Sequence, residues 1–411
     1  MTDSPSSWSR VIILVDMNCF FAAVEQKDNP QWRNKPVAVT NGVQGTTIIT
    51  SSYEARYYGV KTGMHLREAR QLCPELIQAT SRPHRYVEVS TAIMASLEKV
   101  TPDIEVYSVD EAFLDVTHCQ SLLGSPLTIG QLVKTLVMDV SGLACSVGVS
   151  GDKTTAKYAA KLHKPDGLTL IHPDESEAVL APQLVTELSG INKGTARFLA
   201  QYGVFRCGDM KNIPISIPAK RFGNLGRRIW LMAQGKDPAP IEINVKPPKT
   251  IGHGKVMPPK TCDLATILIY FQHMSEKVAT RLRRHQLKGD LFYIGLKTKD
   301  GWLQTRAKAS FATDDGKTIF YLCHQFVTQN WLGQSVWQVQ VTALNLHSEQ
   351  QTDLFADDSS VAQRSQLNNA IDEINQRYGE FTILPSRLLD RSEMPNVIAP
   401  SWKPFGHRKT I

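Results

Sequence analysis

Apolar runs and helical periodicities alternate along the first 170 residues. The segments VIILV and PVAVT are short continuous apolar runs, which predict buried strands. SSYEARYYGV and MHLREARQLC predict short helices, and HRYVEVSTAIMASLEKV predicts a longer one because its apolar residues recur at helical spacing. IEVYSV and LDVT predict strands around an acidic turn, and LACSVGVS predicts another strand. DKTTAKYAAKLH then predicts a helix that ends before Pro165.

The rest of the chain divides into four further parts. Residues 171–240 contain LSGINKGTARFLAQYGV, which predicts a Gly-containing hairpin before a short helix. APIEINVKPPKTIGHGKVMPP is rich in proline and predicts a linker. From 250 to 347, LATILIYFQHMSEKVATRLRRHQ predicts an amphipathic helix bracketed by strands, which indicates an α+β module. A polar tail follows to residue 411, and LNNAIDEINQRYG predicts a short amphipathic helix within it.

The composition is that of a multidomain globular protein. The chain has 411 residues, 42% hydrophobic and 21% charged, and shows no apolar stretch of the ~20 residues that cross a membrane. No secretory leader is evident at the N-terminus, so we expect a cytoplasmic protein without membrane contact. The seven cysteines show no C-x-x-C spacing, which argues against a disulfide framework or a zinc site.

Positive charge is concentrated in two consecutive regions. The net charge is +7, and residues 191–260 contain thirteen Lys and Arg against three Asp and Glu. Residues 277–308 contain nine against two. A basic face in both regions indicates a polyanionic partner, most simply nucleic acid, although solvated surface lysines would give the same count.

Three carboxylates fall at the ends of predicted buried strands. Asp16 ends the first strand, and Asp110 and Glu111 are adjacent in YSVDEAFLDV. Clustered like charges repel unless a cation neutralises them, and Mg²⁺ prefers hard oxygen ligands. Two Mg²⁺ ions can stabilise the attacking and leaving oxygens of a phosphoryl displacement. Ordinary surface turns also carry such acids, so spacing alone leaves both interpretations open.

Other residues strengthen the nucleotide-site interpretation. Tyr53 and Arg56 are three residues apart, on one helix face, and arginine's planar fork suits phosphate oxygens. Lys161 and Lys164 could add charge for a triphosphate. Each residue alone is better explained as a surface residue, but together they describe a nucleotide site with metals.

Four ordered motifs resemble those of the Y-family DNA polymerases, in the bacterial DNA polymerase IV branch. They are VDMNCFFAAVE, SSYEARYYGVKTGM, YSVDEAFLDV and SVGVSGDKTTAKYAAKLHKPDG. The resemblance implies an α+β, multidomain, right-hand polymerase with a ferredoxin-like palm, small fingers, a helical thumb and an α+β little finger. The implied boundaries are palm 10–19 and 86–170, fingers 20–85, thumb 171–240, linker 241–249, little finger 250–347, and clamp-binding peptide with tail 348–411.

The resemblance also implies the residues of the site. Asp16, Asp110 and Glu111 would be the catalytic metal ligands for two Mg²⁺, with the Met17 backbone carbonyl as a further ligand, and Glu111 beside the primer 3′-hydroxyl. The predicted triphosphate contacts are the N–H groups of Cys19 and Phe20 with Tyr53, Arg56 and Lys164. Phe21 resembles the steric gate, whose ring leaves no room for a ribose 2′-hydroxyl.

The implied activity is template-directed, error-prone translesion synthesis from dNTPs on primer-template DNA. The resemblance implies a solvent-open site that tolerates damaged bases, and no segment is left for a proofreading exonuclease. QTDLF resembles the peptide that binds the sliding clamp, through Gln351, Leu354 and Phe355. We expect a monomer. About 56 residues follow this peptide, and the sequence assigns them no role.

Two positions depart from the family pattern. Asn18 stands where relatives usually have aspartate; since position 18 is not an implied ligand, we expect only a modest effect. In the thumb, the implied DNA-binding hairpin comprises Gly190, Asn192 and Gly194, with Asn192 in place of the usual second glycine. Asn tolerates left-handed backbone geometry, so the turn is expected to survive.

Two alternative functions remain to be weighed. A catalytically inactive, clamp-bound scaffold would have lost palm acids, whereas all three are present here. A nucleotide cyclase has a similar palm but no use for a basic thumb, a little finger or a clamp peptide. A templated DNA polymerase accounts for all of these features.

Overall fold

A computed structural model describes residues 8–42, 45–244, 247–348 and 358–391. The described residues up to 244 form one compact unit, and those from 247 onwards form a second. The described helices include none that is both long and apolar enough to cross a membrane.

The first unit combines eight strands with eleven α-helices within its described residues. Its strands are β1 (Ile12–Met17), β2 (Val37–Thr40), β3 (Ile48–Ser51), β4 (Ile77–Thr80), β5 (Ile104–Val106), β6 (Glu111–Asp115), β7 (Cys145–Ser150) and β8 (Leu168–Leu170). Its helices are α1 (Phe20–Asp28), α2 (Tyr53–Tyr57), α3 (Leu66–Leu72), α4 (Pro83–Leu97), α5 (Gln120–Leu123), α6 (Pro126–Ser141), α7 (Lys153–Leu162), α8 (Ser176–Leu180), α9 (Lys193–Ala200), α10 (Ser216–Phe222) and α11 (Asn224–Met232).

The main sheet of this unit has the order β5-β6-β1-β7-β8, so β1 is central. β1 runs antiparallel to β6 and β7, while β8 is parallel to β7. Alternate residues of β1 point to opposite faces. Ile13 and Val15 enter the core that contains the buried residues of α4 and α6, whereas Ile12 and Leu14 pack on Ala156 of α7. Both faces are therefore covered, which explains the continuous apolar run.

The remaining elements of the first unit build two smaller parts. The sheet β3-β2-β4 joins α2 and α3 around a small core of its own. Helices α8 to α11 enclose another core, centred on Leu199, Met210 and Ile229. These parts fall within the predicted fingers and thumb, whose boundaries stay predictions.

The second unit contains a five-stranded sheet covered by helices on one face. Its elements are β9 (Ile251–Thr261), α12 (Leu264–Arg284), β10 (Lys288–Thr298), β11 (Gly301–Thr313), α13 (Gly316–Asn330), β12 (Val336–Ala343), β13 (Leu346–His347) and α14 (Asp358–Tyr378). The strand order is β11-β10-β12-β9, and β13 pairs with β10. The inward residues of β10 and β12 pack against α12 and α13, which places the core on that side of the sheet.

The region after residue 347 contributes to this second unit. The predicted short helix is α14, which is longer than LNNAIDEINQRYG alone. Arg283 of α12 donates to Asp372 of α14, with Nε 2.6 Å from Oδ2, and Lys277 Nζ lies 2.6 Å from Glu380 Oε2. Leu388 is fully buried. The described part of the predicted tail therefore packs against the second unit.

The linker prediction for APIEINVKPPKTIGHGKVMPP was wrong in its second half. Residues from Ile251 onwards form β9, an edge strand paired with β12. Proline at 258 and 259 suggested a loop, but an edge strand tolerates proline because one row of its N–H groups has no partner strand. Helices α6 and α13 were not predicted.

Candidate active site

Three carboxylates meet where β1 and β6 pair. Asp16 of β1 lies directly opposite Glu111, the first residue of β6. Directly opposed residues in antiparallel strands place their side chains on the same face. Asp110 lies one residue earlier, and its carbonyl accepts a 2.9 Å hydrogen bond from the Met17 N–H. The prediction that these four residues converge at a strand end agrees with this geometry.

The carboxylates lie in an environment that opposes negative charge. Burial raises the pKa of Asp16 to about 7; Lys164 lowers it, while the charges of Glu111 and Asp110 raise it further. Burial also raises the pKa of Asp110, whose Oδ1 accepts a 2.6 Å hydrogen bond from the Ser108 hydroxyl. Such a cluster becomes stable in its ionised form only when positive charge is supplied.

Two lysines, Lys157 within α7 and Lys164 just after it, supply part of that charge. Lys164 Nζ lies 2.5 Å from Asp16 Oδ2, and Lys157 Nζ lies 2.5 Å from Glu111 Oε1. Lys157 also lies over the Tyr107 ring, 4.6 Å from its centroid. The sequence analysis missed Lys157. Lys161, which it considered for the triphosphate, is paired instead with Glu187 at 2.8 Å.

The donor chemistry fits a hard divalent cation. Asp16, Asp110 and Glu111 offer carboxylate oxygens, the ligands that Mg²⁺ prefers, and raised carboxyl pKa values are what a cation would offset. In the described residues, however, no group of three or more His, Cys, Asp or Glu side chains is arranged so that it could hold a metal ion as it stands. The fit therefore rests on ligand type and charge.

The first turn of α1 offers backbone N–H groups beside the carboxylates. Cys19 precedes this helix with a left-handed backbone, φ 39° and ψ 47°, and no side chain caps the helix. The first N–H groups of a helix have no partner inside it and point outward, which suits an anion. The backbone at Cys19 and Phe20 is therefore suited to the predicted N–H contacts with phosphate.

Tyr53 and Arg56 lie together on α2, as predicted. The Arg56 guanidinium carbon is 4.8 Å from the centre of the Tyr53 ring, and its Nε donates to the Ser51 carbonyl at 3.0 Å. The Tyr53 hydroxyl is buried and has no hydrogen-bond partner of good geometry in the described part of the chain. Burial raises the pKa of Tyr53, so it stays a neutral donor. A buried hydroxyl without a partner is a candidate ligand-binding group.

The Phe21 ring packs on a buried residue that is itself held by hydrogen bonds. It stacks on Tyr86, with ring centroids 4.4 Å apart and planes inclined by 23°. Tyr86 is fully buried, and its hydroxyl donates to Glu25 Oε1 at 2.7 Å. Arg82 Nε in turn donates to both Glu25 oxygens, at 2.9 and 3.1 Å. The sequence analysis identified Phe21 but not the residues that support it.

Asn18 uses both ends of its amide. Its Nδ2 donates to Ser146 Oγ at 2.9 Å, and its Oδ1 accepts from the Asp166 N–H at 2.7 Å. Asn18 is buried, so these bonds connect the end of β1 to β7 and to the loop that carries Lys164. Its role is thus structural as well as electrostatic, which the sequence alone did not show.

The predicted thumb residues form a turn and the start of a helix in another part of the first unit. Gly190 has φ 92°, so the left-handed position of the hairpin is at residue 190. The expectation of left-handed geometry at Asn192 was wrong: its backbone is extended, and its side chain caps α9 by accepting from the Thr195 N–H at 2.9 Å. Gly194 lies in the first turn of α9. Gln351, Leu354 and Phe355 lie outside the described residues.

Comparison with known proteins identifies the class. The impB/mucB/samB family matches residues 15–161, and the C-terminal domain of that family matches residues 248–354. Among solved structures, the Y-family DNA polymerase chimera Dbh-Dpo4(243-245)-Dbh is similar at a TM-score of 0.70 and 28% identity, covering 82% of this chain and 100% of that one. The chain belongs to the Y family of DNA polymerases, and it is a DNA-directed DNA polymerase.

The similar curated proteins are bacterial polymerases of one branch. DNA polymerase IV of Moorella thermoacetica is 34% identical over 384 residues, which cover 90% of this chain and 94% of that protein. DNA polymerase IV of Lactococcus lactis subsp. cremoris is 36% identical over 310 residues, covering 73% and 84%. These relatives confirm the resemblance recognised in the sequence motifs.

Proposed function

We propose that this protein carries out template-directed, error-prone translesion DNA synthesis, transferring a nucleotide from a dNTP to a primer 3′-hydroxyl. The observation that carries the proposal is the meeting of Asp16, Asp110 and Glu111 at the paired ends of β1 and β6, beside the uncapped start of α1. This arrangement combines acidic oxygens for cations with N–H groups for phosphate. That combination suits phosphoryl transfer.

Two Mg²⁺ ions are the proposed cofactors. Asp16, Asp110, Glu111 and the Met17 carbonyl would hold them, and bound Mg²⁺ supplies Lewis-acid activation of the primer hydroxyl and charge neutralisation on the phosphates. The proposal is supported by the donor types and by the raised carboxyl pKa values of Asp16 and Asp110.

The chain's own residues bind and orient the triphosphate. Tyr53 presents a neutral hydroxyl donor, and Arg56 presents a guanidinium fork on the same short helix. Lys164 can exchange its carboxylate partner for a phosphate oxygen, since both are anionic acceptors at the same place. The N–H groups of Cys19 and Phe20 complete the set. Holding the α-phosphate beside the primer terminus is the larger part of this catalysis.

Selection against ribonucleotides is proposed to be steric. Phe21 cannot retreat, because Tyr86 lies in contact beneath its ring and is itself buried and hydrogen-bonded. A 2′-hydroxyl above such a ring would clash with it, because the packed residues beneath leave the ring no space to move into. We propose, as the family resemblance implies, that no proofreading accompanies this synthesis, so base errors made here would persist.

DNA is proposed to be held by sequence-independent contacts. The thumb hairpin at Gly190, Asn192 and Gly194 offers loop N–H groups to backbone phosphate, and the basic residues of the second unit offer cations. Residues Gln351, Leu354 and Phe355 are proposed to bind the sliding clamp, on their sequence pattern. We propose a cytoplasmic monomer.

Primer extension with dNTPs and Mg²⁺ tests the main proposal. Wild-type protein should extend an annealed primer, Asp110→Ala should not, and Phe21→Ala should extend while accepting ribonucleotides. If the wild type extended the primer no more than Asp110→Ala does, the polymerase proposal would be wrong. If Phe21→Ala kept full sugar selectivity, only the gate assignment would be lost.

Clamp binding is tested separately. Deleting residues 351–355 should remove stimulation by the clamp and leave basal extension unchanged. Equal loss of both would show that the segment serves the enzyme itself and not the clamp.

A further inference from the structure

Helices α1 and α4 contact each other through two matched pairs of residues. Phe21 and Glu25 are four residues apart on α1, while Arg82 immediately precedes α4 and Tyr86 lies four residues further on. Residues at this spacing share one face of a helix. Phe21 stacks on Tyr86, and Glu25 pairs with Arg82, with Oε2 2.9 Å from Nη2. The Tyr86 hydroxyl connects the two contacts, because it donates to Glu25 Oε1 at 2.7 Å.

Glu25 is a buried acid that takes its positive charge from Arg82. The Glu25 side chain is only 3% exposed, whereas that of Arg82 is 41% exposed. Arg82 Nε donates to both Glu25 oxygens, so the guanidinium holds the carboxylate in one orientation. A buried carboxylate that loses its cation is strongly destabilised. The place of the Glu25 carboxylate, and of the Tyr86 hydroxyl bonded to it, therefore depends on Arg82.

Arg82 is itself held on two sides. Its Nη2 donates to Asp28 Oδ2 at 2.8 Å, and Asp28 also accepts from Arg85 Nε at 2.9 Å. The residue before it, Ser81, donates its backbone N–H to the Thr40 carbonyl of β2 at 2.9 Å. Arg82 thus lies where the chain passes from the small sheet into α4, and its side chain binds two acids of α1.

We infer that Arg82 is a specificity-determining residue for the sugar of the incoming nucleotide, and that it acts through Glu25 and Tyr86 on the position of Phe21. The inference rests on the proposed steric gate. A gate excludes a 2′-hydroxyl only while its ring cannot move, and the residue beneath the ring is Tyr86. Without the Arg82 cation, the Glu25 carboxylate has to turn towards water, and the Tyr86 hydroxyl either follows it or loses its acceptor. Both changes loosen the contact beneath Phe21. Arg82 is thus a positioning residue.

Single-nucleotide incorporation by the full-length protein, measured with a dNTP and with the matching rNTP, tests this inference. Arg82→Met should raise the ratio of kcat/KM for the rNTP to kcat/KM for the dNTP about fivefold, the effect of losing one hydrogen bond from the support. Partial unfolding lowers both rates equally and cancels in this ratio. Adding Glu25→Gln to Arg82→Met should restore most of the selectivity, because it removes the unpaired carboxylate and keeps an acceptor for the Tyr86 hydroxyl. Arg82→Lys keeps the charge but loses the planar fork, so it should give a smaller rise.

Arg85→Met is the matched control, because Arg85 is the same residue type on the same helix and pairs with Asp28 and Glu88. It should leave the ratio unchanged. In the Phe21→Ala background, Arg82→Met should change the ratio no further, since the ring on which it acts is gone. Thermal melting checks that each variant is folded.

Three results would overturn the inference: an unchanged ratio in Arg82→Met, an equal rise in Arg85→Met, or a further rise when Arg82→Met is added to Phe21→Ala. Failure of the proposed function is recognised separately. A wild-type protein that does not extend the primer would refute the polymerase proposal, and wild-type selectivity in Phe21→Ala would refute the gate. Either result would refute the role of Arg82 as well.

Discussion

A buried ion pair joins the first unit's main sheet to the segment that follows helix α11. Lys153 Nζ lies 2.6 Å from Glu105 Oε2, and both residues are only 6% exposed. The same Glu105 oxygen accepts a 2.8 Å hydrogen bond from the Glu242 N–H. Lys153 also reaches the Pro240 carbonyl at 3.4 Å and lies over the Phe113 ring. One lysine thus connects α7, β5 and residues 240–242.

Lys153→Met should destabilise this unit strongly. The substitution keeps the apolar stem but removes the cation, which leaves Glu105 buried without a charge partner. Breaking a buried ion pair from one side costs about 3–5 kcal/mol. In a unit of more than 200 residues, 1 kcal/mol shifts the melting temperature by about 2–4 °C, so we expect a fall of roughly 6–20 °C.

Lys161→Met on the same helix is the control. Lys161 pairs with Glu187, but both side chains are more than 40% exposed, so this pair should contribute about 0–1 kcal/mol. The double variant Lys153→Met/Glu105→Gln should recover much of the loss, because it removes the unpaired charge and keeps an acceptor for the Glu242 N–H. Differential scanning fluorimetry compares the four proteins. A Lys153→Met melting point within 2 °C of Lys161→Met would refute the reasoning.

Two further predictions concern the active site. Tyr86→Leu should remove the floor beneath Phe21 and raise ribonucleotide incorporation about tenfold relative to dNTPs, as measured by the ratio of kcat/KM values; an unchanged ratio would mean that Phe21 needs no support. Asn18→Asp keeps an acceptor for the Asp166 N–H but adds negative charge near Asp16, which raises the pKa of that carboxyl further. The ionised form of Asp16 is the one that binds cations. As the solution is acidified, the variant should therefore lose activity at a higher pH than the wild type does. At pH 8 its rate should differ from that of the wild type by less than about fivefold. A pH–rate profile identical to the wild type would contradict this.

The central strands and the acidic site could be predicted from local sequence. β1 is a continuous apolar run because both of its faces are buried, and Asp16 stands out at its end. Glu111 begins β6 and Asp110 precedes it, so a single acidic turn between two strands identified both. Short-range patterns suffice where burial on both faces imposes them.

Other elements gave no comparable local signal. β11 has alternating small and polar residues. Its inward side chains include Ala307 and Ala309, which are too small to produce the alternating hydrophobic pattern by which a strand is predicted from sequence. Lys157 and Tyr86 were missed for a different reason. Lys157 meets Glu111 across 46 residues, and Tyr86 meets Glu25 across 61, so only the fold brings them together.

The described segment 358–391 neutralises part of the positive charge on the helical side of the second unit. Helix α12 ends in Arg281, Arg283 and Arg284, and charge alone would make this helix a second nucleic-acid surface. Arg283 is instead buried against Asp372, and Lys277 against Glu380. Acids from residues 358–391 therefore neutralise two of the cations on the helical side. Because electrostatic attraction to DNA is long-ranged and not selective, these ion pairs lower the attraction that the helical side would otherwise exert on a polyanion.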